Sequence, residues 1–494
     1  MRKRASGILM HISSLAGNYG IGDFGKGAYD FVDFLYSSKQ SYWQILPLGL
    51  TGFDNSPYQS LSAFAGNPYF IDLDEFLQDK YLSQEDIVKT DFGADPNYID
   101  YGKLYFNKMS LLRKAYSNAK KIIMANLIDF YNKEKDWLRD FSLYMALKKE
   151  NDEKAWYEWA EEYRFIDSSE VLEFETKNQD EVFFWVFTQY YFMKQWTSLK
   201  TYANNKGIKI IGDLPIYVAG DSADCWSNPQ IFNFDENLLP KTIAGVPPDA
   251  FSDDGQLWGN PIYDWKTLED TRYHWWLKRF KHSLNLYDTL RIDHFRAFDA
   301  YWEVEYGEKT AINGHWVKGP GLPFFNKIKE EFGQLDIIAE DLGLGSEGLR
   351  KLLQDTGFPN MKILQFAFNQ EDSDFLPHNY DKNCVAYVGT HDNHPAMAWL
   401  ETAPKNEVDY AKRYLKLDEK EAYNWGILRG IWASPAYLAI GQIQDFLALG
   451  EESRMNEPST IGANWTWRVR ESLLNEELAE RIADLTMLYA RAYD

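Results

Sequence analysis

Eight short apolar runs recur along the chain, each followed by a longer stretch of helical or mixed spacing. They are "GILMHI" (7–12), "YWQILPL" (42–48), "IKIIGDL" (208–214), "TLRIDHF" (289–295), "LDIIAED" (335–341), "MKILQFA" (361–367), "CVAYVGT" (384–390) and "AIGQIQDFL" (439–447). Runs of this kind suit strands buried on both faces, as in a parallel sheet covered by helices. Phe192, Trp196, Leu199 and Ala203 keep helical spacing, and Gly207 stands where a C-cap would precede the third run. Eight alternating units predict an α/β fold, a (β/α)8 TIM barrel built from the whole chain, 1–494; a doubly wound open sheet is the alternative.

The rhythm breaks twice. Residues 75–180 read as helical, with one stripe of Leu112, Ala115, Ala119 and Ile122 and another of Trp137, Phe141 and Tyr144. That length exceeds an ordinary βα connection, so a helical subdomain inserted after the second strand is expected. Residues 219–270 are rich in Asn, Pro, Asp, Gly and Trp and read as a loop-rich insertion after the third strand. Insertions that follow strands fall on the C-terminal face of a barrel, where active sites are built.

Composition narrows the function. The chain carries 52 basic and 74 acidic residues, a net charge of -22, which disfavours nucleic acid and anionic membranes as partners. Its two cysteines, Cys225 and Cys384, argue against a disulfide framework and against a cysteine-based zinc site. The first apolar run is too short for a signal peptide, and no run approaches a membrane span. A cytoplasmic, soluble protein is expected. Aromatic residues make up 16%, and many stand in segments that read as loops, such as "QLWGNPIYDW" and "GANWTWRVR". Loop aromatics suit sugar sites, whose pyranose C–H faces lie on rings, but they also suit packing or interfaces.

The chemistry lies at the strand ends. The third run ends in Asp213, the fourth in Arg291-Ile292-Asp293-His294, the fifth in Glu340-Asp341, and His391-Asp392-Asn393 follows the seventh. A single acid there would serve as a helix N-cap; four ends converging on one mouth point to catalysis. Neighbouring strands lie roughly 4.8 Å apart. Asp293 and Glu340 would then face each other at about 5 Å, the separation a retaining glycosidase uses. Arg291, two residues before Asp293, shares its strand face and would keep it ionised, as a nucleophile requires. Glu340 follows apolar residues, and burial together with the charge of Asp293 would raise its pKa, as a proton donor requires. Asp392, helped by His391, is left to brace the sugar and a developing positive charge. His294 is either a sugar contact or a packed histidine.

Gly343, Gly345 and Gly348 match G-x-G-x-x-G, but Glu340 and Asp341 would repel a pyrophosphate there. The acid expected about 20 residues on is also missing around Gln365. These glycines read as a tight turn into a helix. His391 and His394 lack a third ligand at zinc-site spacing, so neither metal nor cofactor is expected.

With these residues in view, the chain resembles the amylomaltases, the 4-α-glucanotransferases of glycoside hydrolase family 77. The resemblance runs from "SGILMHISSLAGNYGIGDFG" through "DNSPYQSLSAFAGNPYFIDL", "GDLPIYVAGDSADCW", "GVPPDAFSDDGQLWGNPIYDW", "RIDHFRAF", "IAEDLG" and "GTHDN" to "LGEESRMNEPSTIGANWTWRV". It implies a barrel and the same three roles: Asp293 as nucleophile, Glu340 as acid/base and Asp392 as transition-state carboxylate. It further implies sugar contacts at Tyr58, Asp213, Arg291, His391 and Asn464, with Gln256 and Trp258 on a loop covering the cleft. The implied activity is transfer of α-1,4-glucan segments between maltooligosaccharides, with α-glucan hydrolysis as the rival. Two departures stand out: His394-Pro395 follows "HDN" where Asp-Thr is common, and Phe53 replaces a common tyrosine. Oligomeric state is not legible.

Overall fold

The computed structural model describes residues 2–52, 54–248, 252–343 and 345–492. Phe53 lies outside them. Twelve strands follow in chain order: β1 (Ala5–Leu9), β2 (Tyr42–Gln44), β3 (Lys209–Pro215), β4 (Thr242–Val246), β5 (Gln256–Pro261), β6 (Thr289–Asp293), β7 (Ala300–Glu305), β8 (His315–Lys318), β9 (Ile337–Ala339), β10 (Asn360–Ile363), β11 (Cys384–Tyr387) and β12 (Leu438–Gln442). Eight of them close a barrel in the order β1-β12-β11-β10-β9-β6-β3-β2, every pair parallel. Each expected apolar run overlaps one of these eight. The fold is the TIM barrel, and the open sheet is excluded by closure between β1 and β12.

The runs overshoot the ladders at their C-terminal ends. Beyond β10, Leu364–Phe366 forms a 3-10 turn, and beyond β12, Ile443–Phe446 is a helical turn. Leu364, Ile443 and Phe446 stay buried through these turns. Hydropathy reports burial, which continues after the backbone has left the sheet.

Helices Met109–Lys133, Lys135–Glu150, Ser169–Lys177 and Gln179–Asn205 lie between β2 and β3. Phe192, Trp196, Leu199 and Ala203 are buried on the last of these, and Gly207 has φ +77° just after it. A left-handed residue costs glycine little, and it turns the chain into β3. Leu112, Ala115 and Ala119 are buried as expected, but Ile122 is 71% exposed. The buried stripe passes through Ile123 instead, which packs against the core, because 3.6 residues per turn favours i+4 here. One continuous core holds Leu112, Phe141 and Tyr144 together with barrel residues such as Ile211, Ile292 and Ile338.

Four strands were not foreseen. β5-β4-β7-β8 form an antiparallel sheet with its own small core of Ile243, Val304 and Ala311. β4 and β5 fall inside the 219–270 segment read as loop-rich. Gly245, Gly259 and Pro261 interrupt their apolar pattern, and their partners β7 and β8 lie beyond that segment.

The glycine-rich turn after β9 serves packing. Ser346 caps helix Glu347–Thr356, its hydroxyl accepting from Leu349 N at 3.0 Å and donating to Asp299 at 2.8 Å. A Cβ on Gly348 would sit 2.2 Å from an Asp299 oxygen. Gly348→Ala is expected to cost about 1–3 kcal/mol through this overpacking, read as a lower urea midpoint at unchanged slope.

Candidate active site

The parallel register brings the strand ends together. Asp213 pairs with Arg291 and Pro215 with Asp293 across β3 and β6; Ile292 pairs with Ala339 across β6 and β9. Asp293 and Glu340 are the next residues on these adjoining strands, so they leave the barrel in step. The Glu340 amide donates to Ile292 O at 3.1 Å, and its carbonyl accepts from Phe295 N at 2.9 Å.

Arg291 is the electrostatic centre. One guanidinium nitrogen donates to Asp213 Oδ2 at 2.6 Å and to Asp293 Oδ1 at 2.9 Å, with the Arg291 side chain only 4% exposed. The buried cation is thus balanced by a carboxylate on each side. Tyr58 also donates to Asp213 Oδ2, at 2.7 Å, while the buried Asp213 Oδ1 has no hydrogen-bond partner among the described residues. Burial raises the Asp213 carboxyl, against the pull of Arg291.

Glu340 sits in a drier place than Asp293: it is 8% exposed, whereas the Asp293 side chain is 28% exposed. Burial pushes Glu340 up to about 8; Arg291 pulls against that and the charge of Asp293 adds to it. Backbone amides of His294 and Leu342 donate to its two oxygens at 2.7 and 2.8 Å, fixing the plane of the carboxyl. The neighbouring acid, Asp341, faces away into structure, accepting from Asn360 at 3.0 Å and Met361 N at 3.1 Å.

His294 has φ 50°, a left-handed conformation that a histidine adopts only when its surroundings hold it there. The turn aims its amide at Glu340 and its ring at Trp258, edge to face at 4.8 Å. Burial pushes its imidazole down to about 4, so the ring is neutral at pH 7. Its buried Nε2 has no hydrogen-bond partner among the described residues. Trp258 donates to Gln256 Oε1 at 3.1 Å, and Gln59 ties the Trp258 carbonyl to the loop that carries Tyr58, at 3.3 Å.

On the β11 side, His391 stacks on Tyr58 with ring centres 5.1 Å apart, and Trp465 leans on both. Burial lowers the His391 imidazole, with Asp392 pulling it back up. Asp392 Oδ2 lies 3.3 Å from His391 Nε2, and Asp392 Oδ1 accepts from Asn456 at 2.7 Å. The structure thus links Tyr58, Asp213, Arg291 and Asp293 by direct hydrogen bonds, and Glu340, His294, Trp258 and Gln256 by a second run of contacts that meets the first through the backbone at Asp293-His294; His391 and Asp392 join through Tyr58. Asn464 is placed differently. Its amide is spent within its own loop, accepting from Glu457 N at 3.0 Å and donating to Thr460 O at 3.1 Å, while the next residue, Trp465, reaches the ring cluster. Gln59, Arg454 and Asn456 escaped sequence reasoning because none is an acid at a strand end. Among the described residues, no group of three or more His, Cys, Asp or Glu could hold a metal ion, and no helix is long and apolar enough to cross a membrane.

A closed parallel barrel with one half-buried and one buried carboxyl side by side at its C-terminal rim defines a class of barrel suited to glycosidic-bond chemistry. The comparisons narrow it. A glycoside hydrolase 77 family model, described as 4-alpha-glucanotransferase, matches residues 10–474. A 4-alpha-glucanotransferase of Clostridium butyricum is 53% identical, over 98% of this chain and 100% of its own. One from Streptococcus pneumoniae is 47% identical, over 99% and 98%. The structure of an amylomaltase from Streptococcus agalactiae in complex with acarbose superposes with TM-score 0.97 at 44% identity, covering 99% of this chain and 100% of that one. The chain belongs to the glycoside hydrolase 77 family.

Proposed function

We propose that this enzyme transfers α-1,4-glucan segments between maltooligosaccharides through a covalent glycosyl-enzyme on Asp293. The observation that carries this reading is the unequal pair: Asp293 held by Arg291, and Glu340 buried one strand away with its pKa raised. Glu340 gives its proton to the glycosidic oxygen while Asp293 attacks the anomeric carbon, and the leaving chain departs with a free 4-hydroxyl. Glu340, now ionised, takes the proton of an acceptor's 4-hydroxyl as that oxygen attacks the same carbon and frees Asp293. Asp392 supports the positive charge that develops on the sugar in the transition state of each step. Tyr58, Asp213, His391 and His294 are the groups we assign to the sugar bound on Asp293; Asp213 Oδ1 and His294 Nε2 are buried without a hydrogen-bond partner among the described residues, an unmet bond that a sugar hydroxyl would satisfy. Asn464 is assigned to the same sugar, its amide exchanging its loop partners Glu457 and Thr460 for a sugar hydroxyl. Gln256 and Trp258 would cover the bond and hold the acceptor against water. Two buried thiols, Cys225 and Cys384, neither in a disulfide, support a cytoplasmic setting.

Maltotriose alone tests the reading. Oligomers longer than the substrate are expected, with reducing ends nearly constant. Reducing ends that rise as chains only shorten would assign an α-glucan hydrolase instead.

A further inference from the structure

The segment after β12 closes on the Asp392 loop from outside. Asn456 donates from its side chain to Asp392 Oδ1 at 2.7 Å and from its backbone to His391 O at 3.1 Å. Arg454 donates to Asp392 O at 3.0 Å, to Asn456 O at 2.9 Å and to Glu451 Oε1 at 3.1 Å. Glu451 Oε2 lies 2.6 Å from His394 Nδ1, and Gln365 holds the His394 carbonyl at 2.7 Å. The histidine that departs from the common family pattern is therefore the far anchor of this chain of contacts.

From this geometry we infer that Asn456 is a positioning residue for the reaction, acting through Asp392, and that Arg454, Glu451 and His394 hold it in place. The inference rests on the role proposed above for Asp392. A half-exposed carboxylate rotates unless both oxygens are held. His391 faces one oxygen of Asp392, and Asn456 supplies the donor to the other. Its amide N–H fixes the plane of the carboxylate through a charge-assisted hydrogen bond. The titratable and charged groups facing Asp392 are His391, on its own loop, Tyr58, stacked on His391, and Arg454, which holds the Asp392 carbonyl; Glu451 and His394 stand one contact further out.

Asn456→Asp tests this, because it keeps the shape and replaces the donor by a carboxylate. At pH 7.5 two carboxylates would face each other, and kcat should fall roughly 100-fold, the scale for losing one transition-state donor. KM for maltotriose should change less than about threefold, since ground-state contacts are untouched. Two facing carboxylates share one proton readily, so near pH 5 an O–H replaces the lost N–H. The activity of Asn456→Asp relative to the parent should then recover at least about tenfold. Asn456→Leu, which can donate at no pH, should stay low throughout. Parallel pH profiles for the two variants, or parental kcat in Asn456→Asp at pH 7.5, would overturn the inference. Failure of the parent to lengthen maltotriose would instead sink the reading of the site.

Discussion

Asp293→Asn is expected to lose maltotriose transfer by on the order of 10⁴-fold or more, the scale seen when an activated nucleophile is deleted, while still binding glucan. The amide keeps the size of the carboxylate but cannot form a stable ester with the anomeric carbon. Folding should survive, because Arg291 keeps its 2.6 Å bond to Asp213 and is not left as an unpaired buried cation. The stability cost should be that of one weakened charge-assisted hydrogen bond, about 1.5–3 kcal/mol. Asp293→Gly sharpens the assignment. With the carboxylate gone, azide can enter the space it leaves and attack an α-maltosyl fluoride from the face opposite the fluoride. The product should be the β-azide, with inverted configuration. A variant that keeps transfer activity, or yields only the α-azide, would show that another group attacks the sugar.

The barrel and its acids were readable because both follow from local rules. Strands buried on both faces must be apolar throughout, so Ile210, Ile211, Ile292 and Ile338 mark β3, β6 and β9 without reference to their neighbours. Arg291 and Asp293 share a face because strand side chains alternate, and that rule needs only the sequence. The rest depends on contacts made across long separations. β7 and β8 are recognisable only once β4 pairs with Trp302 to Glu305. Asn456 lies 64 residues from Asp392, and nothing in "SRMNEP" announces a partner so distant. The left-handed turn at His294 is equally silent in sequence: the type of residue argues against it, and the hydrogen bond from its backbone N–H to the Glu340 carboxyl explains it. Asn464 shows the converse. A motif match assigns a residue to a site, but the coordinates show where its hydrogen bonds go.

Glu340→Gln should lower kcat for maltotriose by about 10²–10⁴-fold, the range for removing a general acid and base, and the loss should depend on the leaving group. Fluoride departs without a proton, so with an α-maltosyl fluoride the first step should run near the parental rate. The covalent intermediate should then accumulate, because no base remains to activate the acceptor hydroxyl. Azide needs no such base. It should rescue turnover and give the α-azide, with retained configuration, the opposite outcome to Asp293→Gly. The parent's pH profile carries the same assignment. Glu340 must hold a proton to act, and burial lifts its pKa to about 8 in the free enzyme. The kcat/KM of the parent should hold up below that value and fall about tenfold per pH unit above it, and Glu340→Gln should lose this limb. Stability follows the same proton. Between 4.5 and about 8 the folded chain keeps a proton that the unfolded chain releases, so stability falls as pH rises across that window. Glu340→Gln cannot lose that proton. Its amide NH2 cannot accept the second backbone N–H, so Glu340→Gln should melt below the parent at pH 6, but its melting temperature should fall less than the parent's between pH 6 and pH 8.5, and an equal fall in both would place Glu340 in a less buried environment than this barrel gives it.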